Sequence, residues 1–224
     1  MSAAAVPAAV GRRFLLTGLA SLGLLRATGA RASTPPEDRA FAILRKDEEI
    51  GRHIVTFAAS AKGLTVRHDI DVTVTLAFVP LYRYRQAGED LWREGKLVAS
   101  DVETDDNGER TSVRIRERAG RLACEGPRGV VEAALGTMTD LSYWNVAILR
   151  QRRLIDSQLG ELAPLAMGGG VLETIEVRGR PITARRWQMN PEGSRGGEVW
   201  YDEAGRIVKA IVRTRGEVLD YRLL

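Results

Sequence analysis

The side chains of this chain able to do chemistry are few. It has two histidines, His53 and His68, and one cysteine, Cys124. A short hairpin through "AASAKG" would pair Phe57 with Leu64 and Val55 with Val66. His53 would then lie opposite His68 on an apolar strand face. Two histidines can begin a zinc site, but catalytic zinc normally takes three protein ligands. No third histidine exists, and a carboxylate would have to enter an apolar face. The expectation is a hydrogen-bonded structural pair and no metal. "ETDDNG" puts Glu103, Asp105 and Asn107 at the first, third and fifth positions of a calcium loop. The twelfth position, which needs a bidentate Glu, is Arg114. Ser142 lacks a Gly-x-Ser-x-Gly setting. Cys124 reads as a small buried apolar residue.

Aromatic and amide residues are the richer set. "DLSYWNVAILRQRRLIDSQLG", from Asp140 to Gly160, holds Tyr143, Trp144 and Asn145 side by side, then Asp156 and Gln158. Tyr82, Tyr84, Trp92, Trp187, Trp200 and Tyr201 lie elsewhere. Small-molecule pockets are largely apolar with a few placed polar groups. Tyr82, Tyr84, Trp92, Tyr143, Trp144, Trp200 and Tyr201 are the candidate apolar wall. Asn145, Asp156 and Gln158, with Asp202, are its candidate polar contacts. The plainer reading is that these aromatics fill a core. A polar cluster near Asn145, Asp156 and the acids Asp101, Glu103 and Asp105 is the basis for a hydrolase as a further alternative. No cofactor motif is present, and "GGG" at 168–170 reads as a loop.

The elements that must position these residues are mostly strands. From Leu64 to Phe78 the apolar residues share one parity, interrupted by His68, and polar residues from Thr65 to Thr75 hold the other. Such two-faced strands belong to antiparallel sheets. Turn signals recur at 93–96, 105–108, 118–121, 202–205 and 214–217. Asn107-Gly108 is the strongest, since a type I′ turn needs positive φ at both central residues. The pattern predicts a meander of about ten strands. The segment from Asp140 is the helical candidate, capped by Asp140 or Ser142. Trp144 and Ile148 are four apart, as are Asn145 and Leu149, so one side is apolar. Gly126 to Gly136 is a second, shorter helical candidate. The fold class is mainly β: one strongly curved antiparallel sheet, an open or half-closed barrel, wrapped around one or two short helices.

The N-terminus reads as an address. Arg12-Arg13 precede the apolar run Phe14 to Leu25, and "GARA" closes the segment with small residues at Ala30 and Ala32. This predicts a signal peptide over 1–32, cleaved after Ala32. The arginine pair also resembles a twin-arginine signal, so two export routes stay open. Four of the 33 basic residues, Arg12, Arg13, Arg26 and Arg31, fall in that segment and no acidic residue does, leaving 29 against 29. The positive charge disappears on processing, which argues against a nucleic-acid partner. Without a cysteine after the apolar run, no lipoprotein anchor is expected. Residues 33–39, with Pro35 and Pro36, read as a disordered leader, and 40–224 as a single periplasmic β-rich domain.

Five phrases carry a family likeness: "EIGRHIVTF", "LAFVPLYRYR", "LWREGKLVASDVETDDNGER", "SYWN" with "LIDSQLG", and "WYDEAGRIVK". Together they resemble a bacterial exported family known as domain of unknown function 6134, over roughly Phe41 to Leu223. More distantly the chain is similar to envelope proteins with curved antiparallel sheets, which look like lipoprotein carriers and glycolipid-binding proteins. The nearer family implies no reaction and no site residue. The distant likeness implies a binding role by fold analogy. The expected function is therefore a non-enzymatic periplasmic protein that binds or carries a lipid or other hydrophobic or amphiphilic molecule on the concave face of its sheet. The alternative is a structural or interaction module of the cell envelope without a ligand.

Overall fold

The computed structural model describes residues 35–77, 79–190 and 196–224. The signal segment expected at 1–32, its cleavage point and Phe78 lie outside the described residues. Alternating sequence produces alternating strands throughout. Eight hairpin-linked strands come first: β1 (Arg39–Arg45), β2 (Glu48–Ser60), β3 (Gly63–Leu76), β4 (Val79–Arg93), β5 (Lys96–Asp106), β6 (Glu109–Arg118), β7 (Arg121–Gly126) and β8 (Gly129–Ala134). An insert follows, with the short strands β9 (Met138–Thr139), β10 (Arg153–Ile155) and β11 (Leu162–Pro164). Five more strands end the chain: β12 (Met167–Val177), β13 (Arg180–Met189), β14 (Gly196–Asp202), β15 (Ile207–Thr214) and β16 (Glu217–Leu223).

Thirteen of these form one antiparallel sheet in the order β12-β13-β14-β15-β16-β1-β2-β3-β4-β5-β6-β7-β8. The last strand lies beside the first, with Phe41 opposite Leu223, so the two halves of the chain join mid-sheet. β8 and β12 are its edges, and the insert's own three-stranded sheet, β11-β10-β9, stands apart from it. The sheet is therefore larger than the ten or so strands expected. Two segments account for much of the difference. Gly126 to Gly136, expected as helical, carries the end of β7 and all of β8. Gly168 to Gly170, expected as a loop, lies in β12, where a bulge falls between Gly169 and Val171. The two-residue turns behave as the sequence predicts. Asn107 and Gly108 have φ of 54° and 96°, and Glu94-Gly95, Ala119-Gly120 and Arg215-Gly216 are likewise positive.

The insert fills the concave side. Met138, Ile148, Leu154, Ile155 and Leu165 share one buried cluster with Phe41, Val55, Val66, Trp92, Leu97, Ile115, Leu122, Val199 and Tyr201. It thus packs against strands from both halves of the sheet. The expected α-helix is two 3-10 turns, Ser142–Trp144 and Val146–Arg150. Asn145, extended at φ −102° and ψ 109°, separates them. Asn145 Oδ1 accepts from the Ala147 N–H at 3.0 Å and caps the second turn. Neither expected cap acts as one: Asp140 accepts from the Ser157 N–H, and Ser142 Oγ from the Thr139 N–H. Turns this short follow the contour of the sheet, which a straight helix cannot do.

One glycine shows how closely insert and sheet meet. A Cβ at Gly126 would stand 2.2 Å from the Leu159 carbonyl oxygen. At the N-terminal side, β1 begins at Arg39, inside the segment expected as a leader. The Asp38 carboxylate accepts from the Phe57 N–H at 2.9 Å.

A chamber between sheet and insert

A cavity of about 680 Å³ remains between part of the concave face and the insert. Strand alternation points Ile70, Val72 and Val74 of β3 into it, and Ala210, Val212 and Leu219 enter from β15 and β16. Leu141, Tyr143, Trp144 and Leu154 of the insert form the opposite wall. The rim consists of turn and strand-end residues, including Arg45, Thr214, Arg215 and Glu217. These all lie at one end of the sheet, so the chamber opens there.

A polar network spans that mouth. Arg215 donates to Asp106 through Nη1 at 3.2 Å and Nη2 at 2.5 Å. Tyr82 O–H donates to Asp106 at 2.8 Å, and Gln158 Nε2 at 3.3 Å. Arg215 sits on the β15–β16 turn and Asp106 at the end of β5, five strands on from β16 in the sheet order. Only strong curvature brings them together. The Arg215 guanidinium holds the Asp106 carboxyl below its usual range. Burial and the Asp106 charge push Tyr82 up to about 12. Nearby, Arg45 and Glu217 form a second bidentate pair at 2.8 and 2.6 Å.

The interior has its own polar groups. Burial pushes the Asp140 carboxyl up to about 6, with the Asp156 charge adding to the shift. Burial also raises the hydroxyls of Tyr84 and Tyr143, and Tyr221 to about 12. Gln86 Nε2 ties the sheet to the insert by donating to Ser157 Oγ at 3.2 Å and Thr104 Oγ1 at 3.0 Å.

The expected site residues separate into two groups. Tyr82, Tyr84, Tyr143, Trp144, Asp156 and Gln158 all line the chamber. Asp156 Oδ1 also accepts from the N–H groups of Gln158 and Leu159, shaping the turn that presents them. Five others have structural roles. Trp92 is buried behind Trp144, with ring centroids 5.1 Å apart. Asn145 is spent on its cap. Trp200 belongs to a separate cluster with Ala184 and Val208, where its Nε1 donates to Glu173. Tyr201 is in the main core, its O–H donating to the Tyr143 carbonyl at 2.8 Å. Asp202 folds its own turn through the N–H groups of Ala204 and Arg206. Arg215 and Asp106 were missed, because sequence gives no hint that strand ends so far apart meet. Cys124 is fully buried in the core, its thiol pushed up to about 11.

The histidines share a face, but in another register. The β2–β3 turn is tighter than expected, so Val55 pairs with His68 and His53 with Ile70. The rings meet diagonally at 5.8 Å. His53 Nε2 and both His68 ring nitrogens have no hydrogen-bond partner among the described residues. This replaces the expected hydrogen-bonded pair. The carboxylate thought unlikely on this face is present. Asp90 is fully buried, with Oδ2 3.6 Å from His68 Nε2. Its parity with Tyr82, Tyr84, Gln86 and Trp92 in β4 was the signal available.

His53 lines the chamber, and burial followed by the His68 charge lowers its pKa from 6.5 to about 3. The unfolded chain therefore takes up a proton below 6.5 that the folded chain refuses. Stability is full above that pH and lost as pH falls, by about 2 kcal/mol between pH 7 and 5. Asp140, raised to about 6, has the opposite sign. The fold takes up that proton first, which returns about 1 kcal/mol over the same window. In His53→Phe the first contribution disappears. The variant is expected to be more stable at pH 5 than at pH 7, whereas the parent is less so. Urea unfolding at the two pH values checks the inversion.

A deeply curved antiparallel sheet, folded over an insert and leaving a chamber open at one end, defines a half-closed β-barrel with an internal cavity. The chain belongs to the family described as Domain of unknown function (DUF6134), whose model matches residues 41–224. Among solved structures it is similar to a β-barrel-like protein of domain of unknown function DUF1849 from Brucella abortus. That match has a TM-score of 0.60 at 10% identity and covers 86% of this chain and 97% of the other. At such identity the likeness concerns the fold. None of the curated proteins searched matches the chain.

Proposed function

We propose that this is an exported periplasmic protein that binds or carries a hydrophobic or amphiphilic molecule in the chamber, without catalysing a reaction. The observation that supports this most is the chamber itself. Its 680 Å³ lies within the range of small-molecule sites, about 300–1,000 Å³. An apolar interior takes the apolar part of the ligand. The Arg215, Asp106, Tyr82 and Gln158 network at the mouth meets its polar end.

Native mass spectrometry with solvent extraction, on protein from its own source, tests the reading. One extractable apolar or amphiphilic molecule per chain is expected, on a chain beginning at Ser33. Ile50 lines the chamber, and Ile50→Trp should fold but lose most of the bound mass. A clean apo mass would sink the carrier reading. It would favour an envelope interaction module, for which exposed Val130 on edge strand β8 and Val171 and Leu172 on edge strand β12 speak.

A further inference from the structure

We infer that the β3–β4 hairpin is a membrane-contacting finger that sets the chamber mouth against a lipid bilayer carrying anionic headgroups. The inference does not depend on the carrier reading, since vesicle contact and cargo content are measured separately.

β3 and β4 are the longest strands of the sheet. Pairing of β3 with β2 ends at Val72, and pairing of β4 with β5 ends at Tyr84. Beyond those residues the hairpin pairs with itself, Thr73 with Arg83 and Leu76 with Val79. The last outside backbone support is at Arg83, whose carbonyl accepts from the Asn107 N–H at 2.7 Å, and one residue further on the Tyr82 side chain is held by Asp106. The tip thus overhangs the mouth by about 10 Å, three residues at roughly 3.3 Å each.

β4 carries a gradient along this overhang, from apolar at the tip to basic nearer the sheet. Val79 and Leu81 are 59% and 58% exposed. A bulge opposite Val74 and Thr75 turns the tip relative to Arg83 and Arg85, which follow as exposed residues nearer the sheet. Arg85 pairs with Asp71 at 2.9 Å, whereas Arg83, opposite Thr73, has no ion pair among the described residues. Tyr82 stands at the same level on the inner side. An apolar tip backed by Tyr and Arg matches the layering of a bilayer interface, where aromatic and basic side chains occupy the headgroup zone. The backbone suits it too. The rungs are hydrogen-bonded within the hairpin, and Pro80 removes an N–H that would otherwise need desolvation near the tip.

A protein partner fits less well. Two projecting side chains are far from the roughly 1,200 Å² or more of a stable protein interface. The Arg83 cation, without an ion pair among the described residues, gives the finger a preference for anionic lipid. Placement at the mouth gives an amphiphile a short path between bilayer and chamber.

Flotation of the purified chain with vesicles of phosphatidylethanolamine, with and without phosphatidylglycerol, tests the inference. Wild type is expected to float with both, more strongly with the anionic lipid. Val79→Glu and Leu81→Glu should each lower partitioning at least tenfold with unchanged circular dichroism. Leu81→Ser serves as a milder second variant. Arg83→Gln should lose about fivefold, on the anionic vesicles alone. Leu172→Glu, on the exposed edge strand β12, should change nothing. Absence of wild-type binding would overturn the inference, as would undiminished binding by the tip variants or an equal loss in Leu172→Glu. Cargo in native spectra bears on the carrier reading alone, so the two fail independently.

Discussion

Trp144→Ala lowers stability by about 3 kcal/mol, the low end of the usual cost of deleting a core Trp, because the side chain is partly buried. The indole is wedged between two strands of the sheet. It meets Phe57 of β2 and Trp92 of β4 edge-on, both at 5.1 Å, with ring planes at 72° and 77°. Each edge-to-face contact contributes about 0.5–1.5 kcal/mol beyond area burial. Little can collapse into the space, because the chamber already borders the ring on another side. The expected fall in thermal midpoint is about 10 °C, at roughly 2–4 °C per kcal/mol for a domain of this size. Trp144→Phe should recover part of it by restoring an aromatic edge. Differential scanning calorimetry decides the matter. An unchanged midpoint in Trp144→Ala would mean that the insert does not brace the sheet.

The second large effect concerns a pair that brings the fold no obvious benefit. His68 and Asp90 face each other at 3.6 Å with no side-chain exposure, and neither finds a hydrogen bond among the described residues. Removing one partner strands the other in an apolar setting, so His68→Leu and Asp90→Leu should each cost about 3–5 kcal/mol. Replacing both removes the desolvation problem. The double variant is expected at parental stability or up to about 4 kcal/mol above it. Chemical denaturation of the three variants and the parent completes the cycle. Additive losses would show that the two groups do not compensate each other. Because His53 lines the chamber and touches His68 at 5.8 Å, the pair also underlies the chamber floor.

Much of this architecture was legible locally. The alternation from Leu64 onward predicts β3 and its buried parity, because side chains on a strand point alternately to two faces. The dipeptides Glu94-Gly95, Asn107-Gly108, Ala119-Gly120 and Arg215-Gly216 mark four hairpins, since a type I′ turn demands positive φ. Part of the site was legible as well. Tyr82, Tyr84, Tyr143, Trp144, Asp156 and Gln158 were picked out by residue type, and the chamber collects all six.

The misses have separate causes. Trp92, Trp200 and Tyr201 are of the same types as the residues that line the chamber. Whether an aromatic packs or lines depends on which strand opposes it, and no local pattern encodes that. The histidine register shifted because a tighter β2–β3 turn moves every partner by two residues while leaving each on its face. The insert kept its apolar residues but wound into 3-10 turns, since its conformation answers to the curved surface beneath it.

Strand identity, face and turn position are therefore properties of short stretches of this chain, set by the two-residue period and by backbone sterics. The joining of β16 to β1, the meeting of Arg215 with Asp106 and the burial of Asp90 beside His68 have another origin. They arise from the curvature of a thirteen-stranded sheet, accumulated through the twist between neighbouring strands. Curvature belongs to no single strand, and the chamber it encloses exists only once the sheet has folded over its insert.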